Sequence, residues 1–492
     1  MYIKSFVLIS SLFFGGFAYA QNVGDALRYS NIDPSGTARF LGAGGAMGPL
    51  GADLSVVGTN PAGIALYRKS EFTVTPGVFF NNTTARVSAT GEAFDENRTV
   101  FNFHSIGVVM TSQPYSGKWT TSNFSITLNN IGNFNRQFTY RSNTTGSIAQ
   151  RWQELANDPS IGFNSFEVGL ASDAGLIYDI DDNPDDYEID YEGYEDQVLD
   201  KTQTVTTRGA STELSFAFAA NYDERLMIGL SIGVPIIYYE YESLYTESDE
   251  KNDQGGRVPY FESLEYDDQY TTTGGGINAK LGLIYRVNQA FRISGAIHTP
   301  TGLNMEDEYE TTLINNYFED ADESGEFIGG DASSTGLFEY SLKTPWRFFG
   351  GVGFLLGKNG FVSGEVELAD YNNNKFSYDG FDQEEQVVNG EINSRLKSVM
   401  NIRLGGEFVM NQFRFRAGAG IFPSAFVGDD TRTYSFSAGA GIRQPGYFVD
   451  LGYRLTSNEE LFFPYDTQAA DLQEIATDFS LHRLLLTFGL KF

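Results

Sequence analysis

Side chains that could carry out catalysis are few and scattered in this sequence. Its 492 residues contain no cysteine and three histidines, His104, His298 and His482, each inside a segment with the pattern of a β-strand. None has a serine and a carboxylate beside it in a recognisable order, and hydrolysis by a serine nucleophile needs these groups together. Strand pairing could still assemble such a site, but the sequence predicts a protein that is not an enzyme and requires no cofactor.

One acidic segment has the spacing of a calcium-binding loop. Asp320, Asp322 and Ser324 offer oxygen atoms at positions 1, 3 and 5, Gly325 stands at position 6, and Asp331 is the acid at position 12. The segment departs from the usual pattern because its last acid is not glutamate, and because no flanking helices are evident. Chance spacing in an acid-rich loop is therefore the simpler interpretation, and a Ca²⁺ site is the alternative.

The first twenty residues have the pattern of a secretion signal. Lys4 precedes an apolar run over residues 5–17, and Ala18-Tyr19-Ala20 supply the small residues that signal peptidase recognises. The run is shorter than the ~20 residues that a membrane-spanning helix needs. We predict a cleaved signal peptide over 1–20, with an uncleaved anchor helix as the alternative. Because residue 21 is glutamine, a lipoprotein anchor is excluded, and the mature chain is expected to act outside the cytoplasm.

Composition narrows the class of protein further. The 33 basic and 64 acidic residues give a net charge of −31, which argues against a nucleic-acid partner bound by charge. The 54 glycines and an aromatic content of 15% suit strands that approach one another closely and carry interfacial aromatic belts. After the signal, no apolar stretch reaches helix-spanning length. A membrane location would therefore require a closed barrel, which satisfies every backbone hydrogen bond in lipid.

Strict period-two alternation recurs along the chain. From residue 226 to 236 the even positions are apolar, whereas the odd positions between 227 and 233 are methionine, glycine or serine. Similar segments begin at 400, 413 and 449, with arginines, carboxylates or glycines on the less apolar face. Alternation of this kind fits a soluble sandwich as well as a barrel.

Connection lengths favour the membrane barrel. Tight turns are predicted near 221–224, 287–289, 358–359, 411–412 and 444–446, and long polar stretches at 131–202, 244–268, 302–335, 373–394, 424–431 and 457–478. Short turns at one end and long loops at the other are typical of outer-membrane barrels. The chain also ends on alternating apolar residues up to Phe492, which resembles the signal read by the barrel assembly machinery.

The segments together predict an all-β transmembrane protein, a 14-stranded antiparallel outer-membrane β-barrel. Its strands are predicted to begin near 71, 99, 119, 203, 225, 268, 290, 335, 360, 395, 412, 432, 446 and 478. An even number of strands places both termini on the periplasmic side. Residues 21–69 precede the barrel at 70–492, and they are predicted to form an N-terminal hatch, or plug, because a lumen of this width needs filling. We expect a monomer surrounded by outer-membrane lipid and lipopolysaccharide.

The N-terminal residues also resemble a known family. Gly36-Thr-Ala-Arg39, Gly42-Ala-Gly-Gly-Ala46, Gly51-Ala-Asp53 and Asn60-Pro61-Ala62-Gly63 resemble the hatch of the FadL/toluene-transport family, especially its OmpP1/FadL-like copies in Bacteroidetes. Later segments are similar too, including Asn129 to Phe134, which resembles the end of the third strand of the family. The resemblance implies fourteen strands, a hatch, and uptake of hydrophobic small molecules such as long-chain fatty acids or aromatic hydrocarbons.

The resemblance also implies a route for the ligand. Loops would capture it, the hatch would move, and the ligand would leave sideways through a gap at a kink in the third strand. Asn129, Asn130, Gly132 and Phe134 occupy the matching place, although a simple strand end is an equally good interpretation. Asn60, Pro61, Ala62 and Gly63 are interpreted first as a turn anchor and second as part of a gate.

Charged residues on the non-lipid face are predicted to line the lumen. They are expected to pair across the lumen or with the hatch and fix it in place, and a polar, ion-conducting pore is the alternative. The residues that the alternation within their strands places on this face are Arg347, Glu365, Glu367, Arg403, Glu407, Arg414, Arg416, Asp450 and Arg454. Glycines on the same face, Gly405, Gly418 and Gly439, are expected to leave room for the hatch backbone.

Two functions remain open from the sequence. The predicted loop from Asp173 to Asp200 holds twelve carboxylates and is interpreted as solvated and self-repelling, with a cation bridging it to lipopolysaccharide as the alternative. We predict a transporter for hydrophobic compounds. The alternative is a non-transporting barrel that serves as a subunit or partner platform of a protein-secretion system.

Overall fold

A computed structural model describes most of the chain. The described residues are 22–87, 91–114, 117–158, 166–179, 186–249, 258–317, 329–470 and 473–492. The predicted signal peptide, residues 1–20, lies outside them. No helix in these ranges is both long and apolar enough to cross a membrane.

Fourteen antiparallel strands form one closed barrel, as the sequence predicted. Each strand pairs with its neighbours in chain order, and the last strand pairs with the first to close the wall. The strands are β1 (Glu71–Val87), β2 (Ala93–Ser112), β3 (Trp119–Asn133 and Arg136–Thr144), β4 (Leu199–Tyr222), β5 (Leu226–Ser248), β6 (Phe261–Arg286), β7 (Phe291–His298 and Gly302–Tyr317), β8 (Asp331–Lys343 and Arg347–Leu355), β9 (Gly360–Asp370 and Lys375–Ser377), β10 (Ser398–Met410), β11 (Phe413–Pro423), β12 (Arg432–Arg443), β13 (Tyr447–Phe462) and β14 (Ile475–Lys491).

Four of the strands are interrupted once, which divides the sheet into eighteen hydrogen-bonded segments. In β7 and β8 the breaks contain Pro300 and Pro345, which cannot donate a backbone N–H to the ladder. In β9 the break is a 3₁₀ turn at Tyr371–Asn373. The break in β3 bears on the functional site and is described below.

The alternation in the sequence corresponds to an outer and an inner face. On β5, Leu230, Ile232 and Ile236 are 52%, 46% and 53% exposed on the outer face, where a membrane would cover them. The residues between them, such as Gly229 and Ser231, are buried inside. Because apolar side chains left in water are costly, an outer surface of this kind requires lipid.

The two ends of the barrel differ as predicted. Tight turns join the strands at one end, called here the short-turn end, and Asp223, Glu224 and Asn411 adopt positive φ in them. The other end, called the long-loop end, carries helices α3 (Ile148–Ala156), α4 (Val168–Asp173) and α5 (Asp382–Arg395).

The predicted loops were too long. The strand segments Arg136–Thr144 and Gly302–Tyr317, the end of β5, the start of β6 and the end of β13 extend furthest into stretches predicted as loops. The largest error in a strand start is at β6, predicted near 268 and found at Phe261. These segments lie toward the long-loop end, where neither face of the wall contacts lipid. The apolar alternation that marks a membrane strand is therefore absent there.

The N-terminal segment lies inside the barrel. It contains helix α1 (Val23–Ser30), helix α2 (Ala38–Gly42) and the 3₁₀ helices Leu54–Gly58 and Pro61–Leu66. Its polar atoms bond to strands on opposite sides of the wall, for example Ala38 N to Thr487 Oγ1 at 2.7 Å and Asn60 Nδ2 to Leu283 O at 3.1 Å. The segment therefore plugs the lumen, and we refer to it as the hatch.

Candidate functional site

The wall of the barrel has a window between β2 and β3. Their ladder runs from Ser112–Ser122 to Ser105–Asn129 and stops there, where Ser105 Oγ donates to Asn129 Oδ1 at 2.7 Å. Beyond this point, in the described part of the chain, residues 97–103 pair only with β1. Thr139 Oγ1 donates to Glu96 Oε1 at 3.2 Å, which closes the far side of the window.

The residues named from the sequence as lateral-opening candidates lie at this window. Asn129 and Asn130 are buried, and the register of β3 against β4 shifts between Asn130 and Gly132, which is a β-bulge. Residues 132–137 are all half-buried, and Phe134 lies in the break of the strand. Passage of a ligand here stays a prediction.

Beyond the break, β3 runs on the inner side of the wall. Phe138 and Tyr140 are buried in a cluster with Ala85 of β1 and Ile475 of β14, although among the described residues β3 pairs only with β4 at this level. The inward course of β3 separates it from β2 and produces the window.

An aromatic chamber lies behind the window. Phe134 contacts Tyr29 and Tyr239 edge to face, with ring centroids 6.2 and 5.6 Å apart. The Tyr29 hydroxyl donates to Thr272 Oγ1 at 2.9 Å. We call the surrounding apolar cluster the chamber; its members include Val23, Ala26, Tyr29, Ile237, Tyr239, Leu303, Met305, Tyr340, Leu342 and Tyr371.

Helix α1 of the hatch occupies the chamber. Val23, Ala26 and Tyr29 are buried there, and the Arg28 guanidinium lies 4.4 Å from the centre of the Tyr239 ring. Burial raises the pKa of Asp25, and the neighbouring Arg28 offsets part of that rise. The chamber therefore accepts an amphipathic segment of this chain, with apolar groups against its tyrosines and charges at one side.

Asp33 connects the hatch to the bulge in β3. Its backbone N–H donates to Ile131 O at 2.9 Å, and its carboxylate pairs with Arg454 at 3.1 Å and with Arg483. Burial alone would raise the pKa of Asp33, but the two arginines outweigh it and hold that pKa well below its usual value. A movement of this part of the hatch is therefore coupled directly to the strand that borders the window.

The residues Asn60, Pro61, Ala62 and Gly63 seat the hatch against the wall. Asn60 caps the following 3₁₀ helix through Ala62 N at 3.1 Å. Gly229 and Gly282, cross-strand neighbours on β5 and β6, form the slot that receives them. A Cβ on Gly229 would lie 2.4 Å from both Ala62 N and Pro61 C. This geometry is that of a turn anchor, and the role as a gate stays a prediction.

A chain of buried ion pairs fills much of the lumen beside the hatch. Arg416 pairs with Glu407 at 2.7 Å and with Asp450 at 2.8 Å. Arg403 pairs with Glu365 at 3.8 Å and also with Glu367. The hatch joins this network, because Gly48 N donates to Glu365 Oε2 at 3.0 Å.

Two further arginines predicted to line the lumen, Arg347 and Arg414, differ in what they contact. Arg347 pairs with Glu367 and donates to the hatch carbonyl of Ser30. Arg414 differs from the prediction: its guanidinium donates to the carbonyls of Asn411 and Phe413 in its own turn, and it pairs with no carboxylate of the described chain. Its strand position lies at the short-turn end, where the side chain reaches the turn instead of the hatch.

Glycines on the inner face leave room for the hatch backbone as predicted. A Cβ on Gly405 would lie 1.9 Å from Ala43 O, and one on Gly418 would lie 2.4 Å from Gly44 N. A Cβ on Gly439 would lie 3.3 Å from the Cα of Gly42 in the hatch.

Sequence reasoning missed several lumen residues. Asp33 and Arg39 belong to the hatch, which has no strand period to show which side chains face the wall. Glu213 and Lys280 form a buried pair on β4 and β6, 67 residues apart in the chain. The alternation in each strand could have shown that both side chains face the lumen. That they lie close together could not be predicted in this way, because it depends on β4 and β6 both pairing with β5.

The histidines make structural contacts. His104 hydrogen-bonds Ser35 of the hatch, His298 Nε2 lies 2.9 Å from Thr59 O, and His482 Nδ1 lies 2.7 Å from the Tyr453 hydroxyl. Each histidine thus joins a strand to the hatch or to the adjacent strand.

The predicted calcium loop lies largely outside the described residues. Asp320, Asp322 and Ser324 belong to that part, and Asp331 begins β8 with an exposed side chain. The described ranges contain no group of three or more metal-ligating side chains. The Ca²⁺ site stays a prediction.

Comparison with known proteins identifies the fold. The structure is similar to a FadL homologue of Pseudomonas aeruginosa, with a TM-score of 0.52 and 12% identity over 94% of this chain and 100% of that one. It is also similar to the toluene transporter TodX of Pseudomonas putida (0.52, 10%, covering 94% and 99%). The toluene transporter TbuX of Ralstonia pickettii matches as well (0.51, 13%, covering 93% and 99%).

At the level of sequence, no family model and no curated protein matches this chain. The structural likeness extends over nearly all of both chains, and it includes the closed wall of fourteen strands. The chain therefore has the fold of the FadL homologues and of the TodX and TbuX toluene transporters.

Proposed function

We propose that this protein takes up hydrophobic small molecules across the outer membrane. The observation that carries the proposal is the window between β2 and β3, which lies beside the aromatic chamber at Phe134. A hydrophobic solute that reaches the chamber would have a short path past Phe134 into the surrounding lipid. Transfer into such a chamber gains ~0.8 kcal/mol for each CH₂ group buried.

Movement of the hatch is the proposed gating step. Helix α1 fills the chamber, and Asp33 ties the following hatch residues to the bulge at Ile131. Displacement of α1 by a ligand would strain this link and shift the strand that borders the window. The ion pairs and the remaining hatch close the straight path through the lumen, so the exit is lateral.

The orientation follows from the same proposal. The long-loop end would face the medium and collect the solute near lipopolysaccharide, and the short-turn end would face the periplasm with both termini. Long-chain fatty acids and aromatic hydrocarbons both fit an apolar chamber, and the choice between them is left to the uptake measurement.

The test is uptake of labelled toluene and of a labelled long-chain fatty acid by porin-depleted cells with and without the protein. Phe134→Asn places an amide between chamber and window, and we expect it to lower protein-dependent uptake. The matched control is Tyr194→Asn, because Tyr194 is 38% exposed and lies in the loop between α4 and β4, outside the chamber cluster. Equal uptake with and without a correctly folded protein would contradict the proposal.

A partner platform is the second candidate function. Exposed Phe381, Val387 and Val427 at the long-loop end favour it, since they offer apolar surface to another protein. Absence of protein-dependent uptake, together with capture of a defined secretion component that Val387→Asp abolishes, would establish this role instead.

A further inference from the structure

A basic pocket lies at the short-turn end, away from the chamber and the window. It has a volume of about 280 Å³ and is lined by four arginines together with apolar side chains that include Leu66 and Leu355. Arg39 and Arg68 belong to the hatch segment, whereas Arg286 and Arg292 stand on β6 and β7 beside the tight turn that joins them. The pocket is therefore a junction between the hatch and the wall.

The carboxylates around this pocket do not match its arginines one for one. Arg68 and Arg286 share Glu224, with Arg286 NH1 at 3.3 Å from Glu224 Oε2. Arg39 is paired outside the pocket with Glu407 at 3.3 Å and with Asp53 at 4.0 Å. Arg292 makes one hydrogen bond, from NH1 to the hatch carbonyl of Leu50 at 3.0 Å, and it has no carboxylate partner among the described residues.

Arg292 lines the pocket with a donor to spare. Its guanidinium makes a single hydrogen bond in the described ranges, from NH1, so NH2 has no protein acceptor there. The Nε atoms of Arg286 and Arg292 also lack an acceptor in these ranges, but their burial keeps them out of reach of a ligand. Four arginines are set against three paired carboxylates, Glu224, Glu407 and Asp53, and the remaining positive charge, on Arg292, favours an anion.

We propose that this short-turn pocket binds a small oxyanion, a carboxylate or a phosphate group. Guanidinium groups match the geometry of these anions and hold them with paired, charge-assisted hydrogen bonds. Arg292 supplies the uncompensated cation, Arg286 the second donor, and Leu66 and Leu355 give an apolar surface for the carbon part of an organic anion. A bound anion joins hatch arginines to wall arginines. The site is independent of the proposed uptake function.

The oxyanion could be a free solute or the headgroup of a phospholipid. The test measures binding of inorganic phosphate and of octanoate to the full-length protein in a neutral maltoside detergent by titration calorimetry. We expect saturable binding of at least one anion, and about tenfold weaker binding by Arg292→Gln, as loss of a charge-assisted hydrogen bond implies. Glu224→Gln removes the shared carboxylate and is expected to strengthen binding.

The matched control is Arg414→Gln, because Arg414 is also at the short-turn end but donates only within its own turn. It is expected to bind like the wild type. Competition by phosphatidylglycerol, and not by phosphatidylcholine, would assign the anion to a lipid headgroup, and binding unaffected by both lipids would assign it to a free solute. Absence of saturable binding by either probe, or equal binding by Arg292→Gln in a variant with wild-type unfolding temperature, would overturn the proposal.

Discussion

Gly229→Ala is the substitution that most directly tests how the hatch is held. The new Cβ would lie 2.4 Å from Ala62 N and Pro61 C and 2.5 Å from Pro61 O. These are backbone atoms, so no change of side-chain rotamer relieves the clash. To reach an ordinary contact of 3.4 Å, the hatch must retreat from the wall by roughly 1 Å.

The expected cost is that of overpacking a well-filled interior, about 1–3 kcal/mol. Since 1.4 kcal/mol corresponds to a factor of ten, the population with an undocked hatch should rise by roughly 5- to 150-fold. The barrel itself should keep its stability, because the lost contacts join hatch to wall and leave the strand ladders intact.

Hydrogen exchange followed by mass spectrometry measures this population directly. Peptides covering the hatch residues 50–66 should exchange faster by that factor, while peptides from β5 and β6 should not change. Gly295→Ala is the matched control, since it also adds one methyl to a strand but its Cβ lies 3.7 Å from Phe349 O. If the hatch peptides exchange at the same rate in Gly229→Ala, Gly295→Ala and the wild type, the slot formed by Gly229 and Gly282 does not anchor the hatch.

Three further predictions follow from the lumen. Arg416→Met removes one of the two cationic partners of both Glu407 and Asp450, which keep Arg39 and Arg443 at 3.3 Å each; it should destabilise the barrel by about 1–3 kcal/mol in denaturant unfolding, whereas Arg414→Met should change stability by less than about 0.5 kcal/mol. Because the pKa of Asp33 is lowered, the stability from its ion pairs is present above the unfolded-state value of about 3.9 and is lost as pH falls through the lower folded-state value. The difference in hatch protection between the wild type and Asp33→Asn, corrected for intrinsic exchange, should therefore be level from about pH 5 to pH 8; a difference that shrinks across this range would contradict the argument. Tyr29→Ala should weaken docking of α1 by about 3 kcal/mol and raise the initial rate of protein-dependent uptake, and an unchanged rate would separate α1 from the ligand route.

The strands of the barrel wall could be predicted from the sequence because the pattern that marks each strand lies within that strand. Within the membrane each strand has one face in lipid and one in the lumen, so residues such as Leu230 and Gly229 alternate in the sequence itself. The signal disappears where neither face contacts lipid. For this reason the parts of β3 and β7 at the long-loop end, Arg136–Thr144 and Gly302–Tyr317, were predicted as loops.

The candidate site was predicted only in part. The break near Gly132 and the anchor at Asn60 were located through resemblance to a family, and the inward arginines through their phase. Asp33 was missed because the hatch has no regular period. The chamber was missed because its members come from α1 and from widely separated strands, and no single segment of sequence contains their contacts.

The sequence by itself therefore determined the class of fold, the number of strands, and which face of each strand meets lipid, because the alternation within the strands and the lengths of their connections can both be read along the chain. Tertiary structure alone decided which charges pair, where the hatch docks, and that β3 leaves the wall to open the window. These features depend on contacts between residues hundreds of positions apart, such as Asp33 with Arg454, which lie 421 positions apart in the chain. Only closure of the barrel brings such residues together.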